Sequence, residues 1–93
     1  MTQETTAKPK MIKVTVTFPI SPAGPLRGER PATETVGALR EEAMTHFGVA
    51  PDGQHSYYLT HAGKKLEDTE TIGQVAGTAH EAKFTLVKEL VQG

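Results

Sequence analysis

Side chains that commonly carry chemistry are thinly spread along this chain. The four histidines, His46, His55, His61 and His80, stand apart. None has the tight two-ligand spacing with a carboxylate that holds a metal, so they read as surface or strand-edge groups and no metal site is expected. Ser21 and Ser56 lack the sharp glycine-flanked turn that exposes a nucleophilic hydroxyl. Cysteine is absent, which excludes a thiolate nucleophile, a disulfide framework and a cysteine-based zinc site. The nine glycines fall singly, several of them at turns, and form no phosphate-cradling loop. Neither a cofactor nor catalytic activity is expected. What remains is the end of the chain, K-F-T-L-V-K-E-L-V-Q-G. Leu86 is the last residue that reads as core, and the seven residues from Val87 to Gly93 reach roughly 23 Å when extended. A glycine tip has no Cβ and can pass a narrow cleft.

Composition narrows the field further. The 93 residues suffice for one domain. Ten basic and eleven acidic residues give a net charge of −1, and the two signs are interspersed. With no basic stripe to neutralise phosphates, nucleic acid is not expected as a partner. Absence of cysteine suits a reducing cytoplasmic setting. The N-terminus has no long apolar run, so neither a signal peptide nor a membrane span is expected.

Residues 1–10 are polar and aperiodic and read as a flexible tail. From Met11 the pattern alternates strictly, with Ile12, Val14, Val16 and Phe18 on one face and Lys13, Thr15 and Thr17 on the other. Period-two spacing of β-branched residues predicts a strand with one buried face, ended by Pro19. Ile20 to Pro31 carries repeated prolines and glycines, and Leu26 is its lone large apolar residue after Ile20. A return strand there is expected to be short, exposed and weakly specified in register.

Thr35 through Phe47 predicts the main helix. Thr35 caps it, Val36, Leu39, Ala43 and Phe47 form an apolar stripe, and Gly48 supplies a left-handed stop. Gly37 inside it is unfavourable by about 1 kcal/mol relative to alanine. Tyr57 to His61 reads as a strand, Ala62-Gly63 as a tight turn and Lys64 to Leu66 as the return. Thr69 to Val75 reads as a threonine-capped helical turn, and Lys83 to Lys88 as the last strand with Phe84 and Leu86 inward. The expectation is an α+β domain over residues 11–88: a mixed four- to five-stranded sheet with one main helix on one face, followed by an exposed tail at 89–93.

With these residues in place, the chain resembles the ubiquitin-like β-grasp family. Ala62-Gly63-Lys64-Lys65-Leu66-Glu67-Asp68 is similar to ubiquitin's corresponding hairpin at six of seven positions. Thr71-Ile72, Thr35-Val36 and Pro51-Asp52 also fall where ubiquitin has their counterparts. The resemblance runs from about Met11 to Gly93 and is strongest after Thr35. It implies a modifier whose terminal glycine carboxylate, here that of Gly93, is adenylated with ATP by an activating (E1-like) enzyme. The acyl group then passes to the cysteine of a conjugating (E2-like) enzyme as a thioester and is joined to an amine on a target, to be released by a deconjugating protease. Glu89, Leu90, Val91 and Gln92 would form the segment such enzymes read, Thr60 and Val87 the binding surface, and Lys64 an acceptor for chains.

The departures point to a divergent member with its own partners. Gln92 stands where ubiquitin has a second glycine, Glu89 reverses the charge of an arginine, and Thr60 replaces the isoleucine at the centre of the surface patch, while Val87 is kept. A bacterial operon with its own activating, conjugating and deconjugating enzymes is one setting that fits such a chain. Two alternatives remain open. One is an interaction domain that is never conjugated; the other is a sulfur carrier, against which Gln92 counts because such carriers end in paired glycines. The chain is expected to be a monomer.

Overall fold

Alternation of apolar and polar residues does what it predicts at the start of the chain. Strand β1, Met11–Thr17, buries Ile12, Val14 and Val16 and turns Lys13, Thr15 and Thr17 outward. The computed structural model describes residues 10–50 and 52–90. The remaining elements are β2 (Leu26–Pro31), α1 (Val36–Phe47), β3 (His55–His61), β4 (Lys64–Lys65), α2 (Ile72–Ala76) and β5 (Glu81–Leu90). The strands form one sheet in the order β2-β1-β5-β3-β4. Only β1 and β5 run parallel; the other neighbours are antiparallel.

Helix α1 is set by its ends. The Thr35 hydroxyl accepts from the Ala38 amide at 3.1 Å, which satisfies one of the free donors of the first turn. At the other end Gly48 takes φ 72°, a left-handed conformation that costs glycine little. The amides of Gly48 and Val49 then return to the carbonyls of Thr45 and Met44 at 3.2 and 2.9 Å, the hydrogen-bond pattern of a Schellman closure. The apolar stripe of α1 (Val36, Leu39, Ala43, Met44, Phe47) lies on the inner face of the sheet against β1 residues, Leu59, Ala82, Phe84 and Leu86. Phe18 stacks at a tilt on Phe47, with ring centroids 5.5 Å apart. No polar or charged residue is buried among the described residues, so burial of apolar surface is the main source of stability.

Strand β2 is more regular than its composition suggests. Although exposed and poor in apolar residues, it pairs with β1 over its whole length, from Met11 opposite Pro31 to Val16 opposite Leu26. The ladder and the packing of Leu26 on the core hold a segment whose own pattern is weak. The last strand is also longer than Lys83–Lys88, because both its ends find ladder partners in β1 and β3.

The segment before α2 is strapped to the start of α1. The amides of Val36 and Gly37 donate to the carbonyls of Glu70 and Asp68, and that of Ile72 to Glu34. Arg40 grips the Asp68 carboxylate through Nε and Nη2 at 3.1 and 3.0 Å. This close approach explains Gly37: a Cβ there would lie 3.0 Å from that of Asp68. Gly73 is tighter still. A Cβ would sit 2.8 Å from the Ala32 Cβ and 3.0 Å from its carbonyl oxygen, which already accepts from the Gly73 amide at 2.8 Å. Alanine at 73 improves helix propensity by about 1 kcal/mol, yet overpacking a rigid neighbour costs about 1–3 kcal/mol. Gly73→Ala is therefore expected to lower the urea midpoint despite its helical position.

Candidate functional site

Two features can meet partners: the sheet face turned away from α1, and the strand that leads to the C-terminus. On the outer face, register sets the neighbours. Thr60 lies opposite Thr85, Tyr58 opposite Val87 and Ser56 opposite Glu89. Thr60 and Val87 thus share one face as diagonal neighbours, both half-buried. The Thr60 hydroxyl leans toward the Thr85 carbonyl at 3.5 Å, the outer limit of a hydrogen bond.

Tyr58 adds what the sequence pattern undervalued. It stands directly across from Val87, and the Lys65 ammonium lies 4.6 Å from its ring centroid, within cation–π range. Alternation about buried Leu59 was the signal that turned this ring outward. Beside Val87, the β1–β2 turn supplies Phe18, Pro19 and Ile20 to a shallow, mainly apolar concavity, and Ile20 is 69% exposed. The result is a threonine-lined centre with apolar and aromatic flanks.

Lys64 sits at the β3–β4 hairpin and is exposed. The turn is tight because Ala62 and Gly63 both have positive φ, 54° and 81°, whose backbone twist matches the flanking strands. The histidines are dispersed: His46 Nε2 lies 2.9 Å from the Gly24 carbonyl, His55 pairs with Asp52, and His61 packs near Phe84. Among the described residues no group of three potential ligands gathers.

The C-terminal strand corrects one expectation. Glu89 and Leu90 do not project as a free tail; they are the last rungs of β5, opposite Ser56 and His55. The physical reason lies at the start of β3. Asp52 accepts from the amides of Gln54 and His55 and meets His55 Nδ1, each at 2.8 Å. It thereby fixes the first rung against which Leu90 pairs. Leu90 remains 60% exposed. Val91, Gln92 and Gly93, expected to complete the tail, lie outside the described residues, as do the N-terminal residues 1–9 and Pro51.

The hydrogen bond to His55, and then those from the two amides, hold the Asp52 carboxyl well below the ordinary carboxylate range. A depressed folded-state value stabilises the fold above the unfolded value of 3.8, and that contribution fades as pH falls below it. Wild type is therefore expected to exceed Asp52→Ala in stability by a constant margin at and above about pH 6, and the margin to shrink toward about pH 2. Urea titrations at the two pH values check this.

No family model and no curated protein sequence matches the chain. Solved structures do. A ubiquitin from Caldiarchaeum subterraneum is 31% identical, with 89% of this chain and 99% of that one aligned at a TM-score of 0.69. The chain belongs to the ubiquitin-like family. A second structure of a ubiquitin-like protein from the same hyperthermophilic archaeon is also 31% identical, over 87% of this chain and all of that one, at a TM-score of 0.56. A protein described as a molecular mimic of SUMO shares the fold at 18% identity and a TM-score of 0.63, over 84% of this chain and 91% of that one. The five-stranded mixed sheet with one main helix is thus the ubiquitin-like β-grasp. Among the described residues of this ubiquitin-like chain, no helix is long and apolar enough to cross a membrane.

Proposed function

We propose that this ubiquitin-like chain is a protein modifier rather than an enzyme, joined to target amines through Gly93. The observation that carries the reading is the 31% identity to an archaeal ubiquitin over 99% of that chain, combined with a glycine in register with ubiquitin's last residue. The carboxylate of Gly93 attacks the α-phosphorus of ATP and releases pyrophosphate. An enzyme thiolate displaces AMP from the acyl adenylate, and a target amine then displaces the thiolate to leave an amide. The thiol does not belong to this chain, which fits its lack of cysteine. E1-like, E2-like and deconjugating enzymes are the partners this chemistry demands. The outer face bearing Thr60, Tyr58 and Val87 is their non-covalent docking surface, and the segment they read begins on the last rungs of β5, Glu89 and Leu90, and continues to Val91 and Gln92.

Incubation with ATP and the cognate activating enzyme tests the reading. A thiol-sensitive adduct that disappears when Gly93 is removed is expected; an adduct unchanged by that removal overturns it.

Pairing of Leu90 with His55 supports a second reading, an interaction domain that is not conjugated, because it ties Glu89 and Leu90 into the sheet instead of leaving them free for an enzyme to grasp. In that case binding maps to the outer face and removal of Gly93 changes nothing.

A further inference from the structure

β2 is the outer edge of the sheet, and its hydrogen-bonding pattern is unusual enough to specify a partner. The Ala32 amide donates to the Lys10 carbonyl, while the Lys13 amide donates toward His80 on the other side. With Ile12 opposite Arg30, Val14 opposite Gly28 and Val16 opposite Leu26, Leu26, Gly28 and Arg30 spend their main-chain groups on β1. Positions 27 and 29 therefore aim theirs at the open edge, between positions 25, just before β2, and 31, whose carbonyl already accepts from the Glu34 amide. Both flanking positions are prolines, Pro25 and Pro31, which have no N–H to offer. Among the described residues, the edge is thus a short window with two amides that have no partner, those of Arg27 and Glu29, closed on each side by proline. The Arg27 and Glu29 side chains are exposed, and neither forms an ion pair among the described residues.

We infer that this window pairs with the same window of a second copy, antiparallel about a two-fold axis at Gly28. In that register Arg27 faces the other copy's Glu29 on the outer face, and each such pair exchanges both main-chain hydrogen bonds. Gly28 meets its own counterpart at the axis, a pair without hydrogen bonds where Cα atoms come within about 4.5 Å. A Cβ built at Gly28 meets nothing within 4 Å in one copy, so the glycine is not required by the monomer. It suits the axis.

Neighbouring registers are excluded twice over. An axis at Arg27 sets arginine against arginine and Glu29 against Pro25. An axis at Glu29 sets glutamate against glutamate and Arg27 against Pro31. Each alternative opposes like charges and loses donors to proline. Charges and prolines on an edge suppress indiscriminate pairing, and their placement here leaves this one pairing intact, which is how specificity by repulsion works. The contact is small, so association is weak and reversible. It leaves the outer face around Thr60 and Val87 uncovered.

Translational diffusion and amide shifts measured by NMR from dilute protein to about 1 mM test the inference. Diffusion is expected to slow with concentration, with shifts at Arg27, Gly28 and Glu29 and none in β4. Arg27→Glu sets like charges opposite at both symmetric pairs and should weaken association at least about ten-fold. The charge reversal Arg27→Glu/Glu29→Arg should restore it. Concentration-independent diffusion overturns the inference. So does self-association that Arg27→Glu leaves unchanged or that the reversal fails to rescue. Shifts at this edge seen only on adding an extended peptide would assign the window to another protein and overturn it equally.

Discussion

Phe84→Ala is expected to remove a large part of the stability of the domain. The ring is 1% exposed on β5, which runs between β1 and β3 at the middle of the sheet. Its rung is opposite Val16, itself fully buried. Truncating a phenylalanine in such a place costs about 3–5 kcal/mol, from lost transfer free energy and from the cavity left behind. A domain of this size holds about 5–14 kcal/mol in total. Chemical denaturation should show a large drop in midpoint with little change in slope. Val87→Ala on the opposite face of the same strand should cost less than about 1 kcal/mol. A Phe84→Ala loss no larger than that of Val87→Ala would mean that the sheet–helix interface is not where the stability resides.

Removing Gly93 is expected to abolish conjugation while leaving the fold untouched. The terminal carboxyl carbon would retreat by about 3.5 Å along an extended chain. The reacting carbonyl would then belong to Gln92, with a Cβ and a long amide side chain at the narrowest point of an enzyme channel. Displacement of about 1 Å from the reacting geometry can cost about 100-fold in rate, so a larger loss follows from a whole residue. The thermal midpoint should not move, because the last buried core residue among the described residues is Leu86. Full adduct formation without Gly93 would place the acyl donor elsewhere.

Much of the architecture is written in local pattern. β1 was legible because Ile12, Val14 and Val16 alternate with polar residues, and α1 because its stripe is bracketed by Thr35 and Gly48. The Ala62-Gly63 turn followed from two residues between strands. β2 was obscure because its order comes from β1 and not from its own side chains; Leu26 alone reaches the core. The end of β5 was missed because Glu89 and Leu90 carry no strand signal, and Asp52, distant in sequence, sets the rung they join. Gly37 and Gly73 read as local defects until the Asp68 and Ala32 contacts explain them. As for the site, Thr60 and Val87 were readable once their strands were placed, whereas Tyr58 needed the register that sets it across from Val87.

The most direct test of the modifier reading is peptide mass spectrometry of trypsin-digested conjugates formed by the native enzymes. Trypsin cuts after Lys88, so a modified target lysine should carry the remnant Glu89-Leu90-Val91-Gln92-Gly93, joined through the glycine carbonyl to the ε-nitrogen. Detection of that branched peptide, lost when ATP is withheld, is the predicted result. Its absence where all enzymes are active, or a linkage through any other residue, would contradict the account.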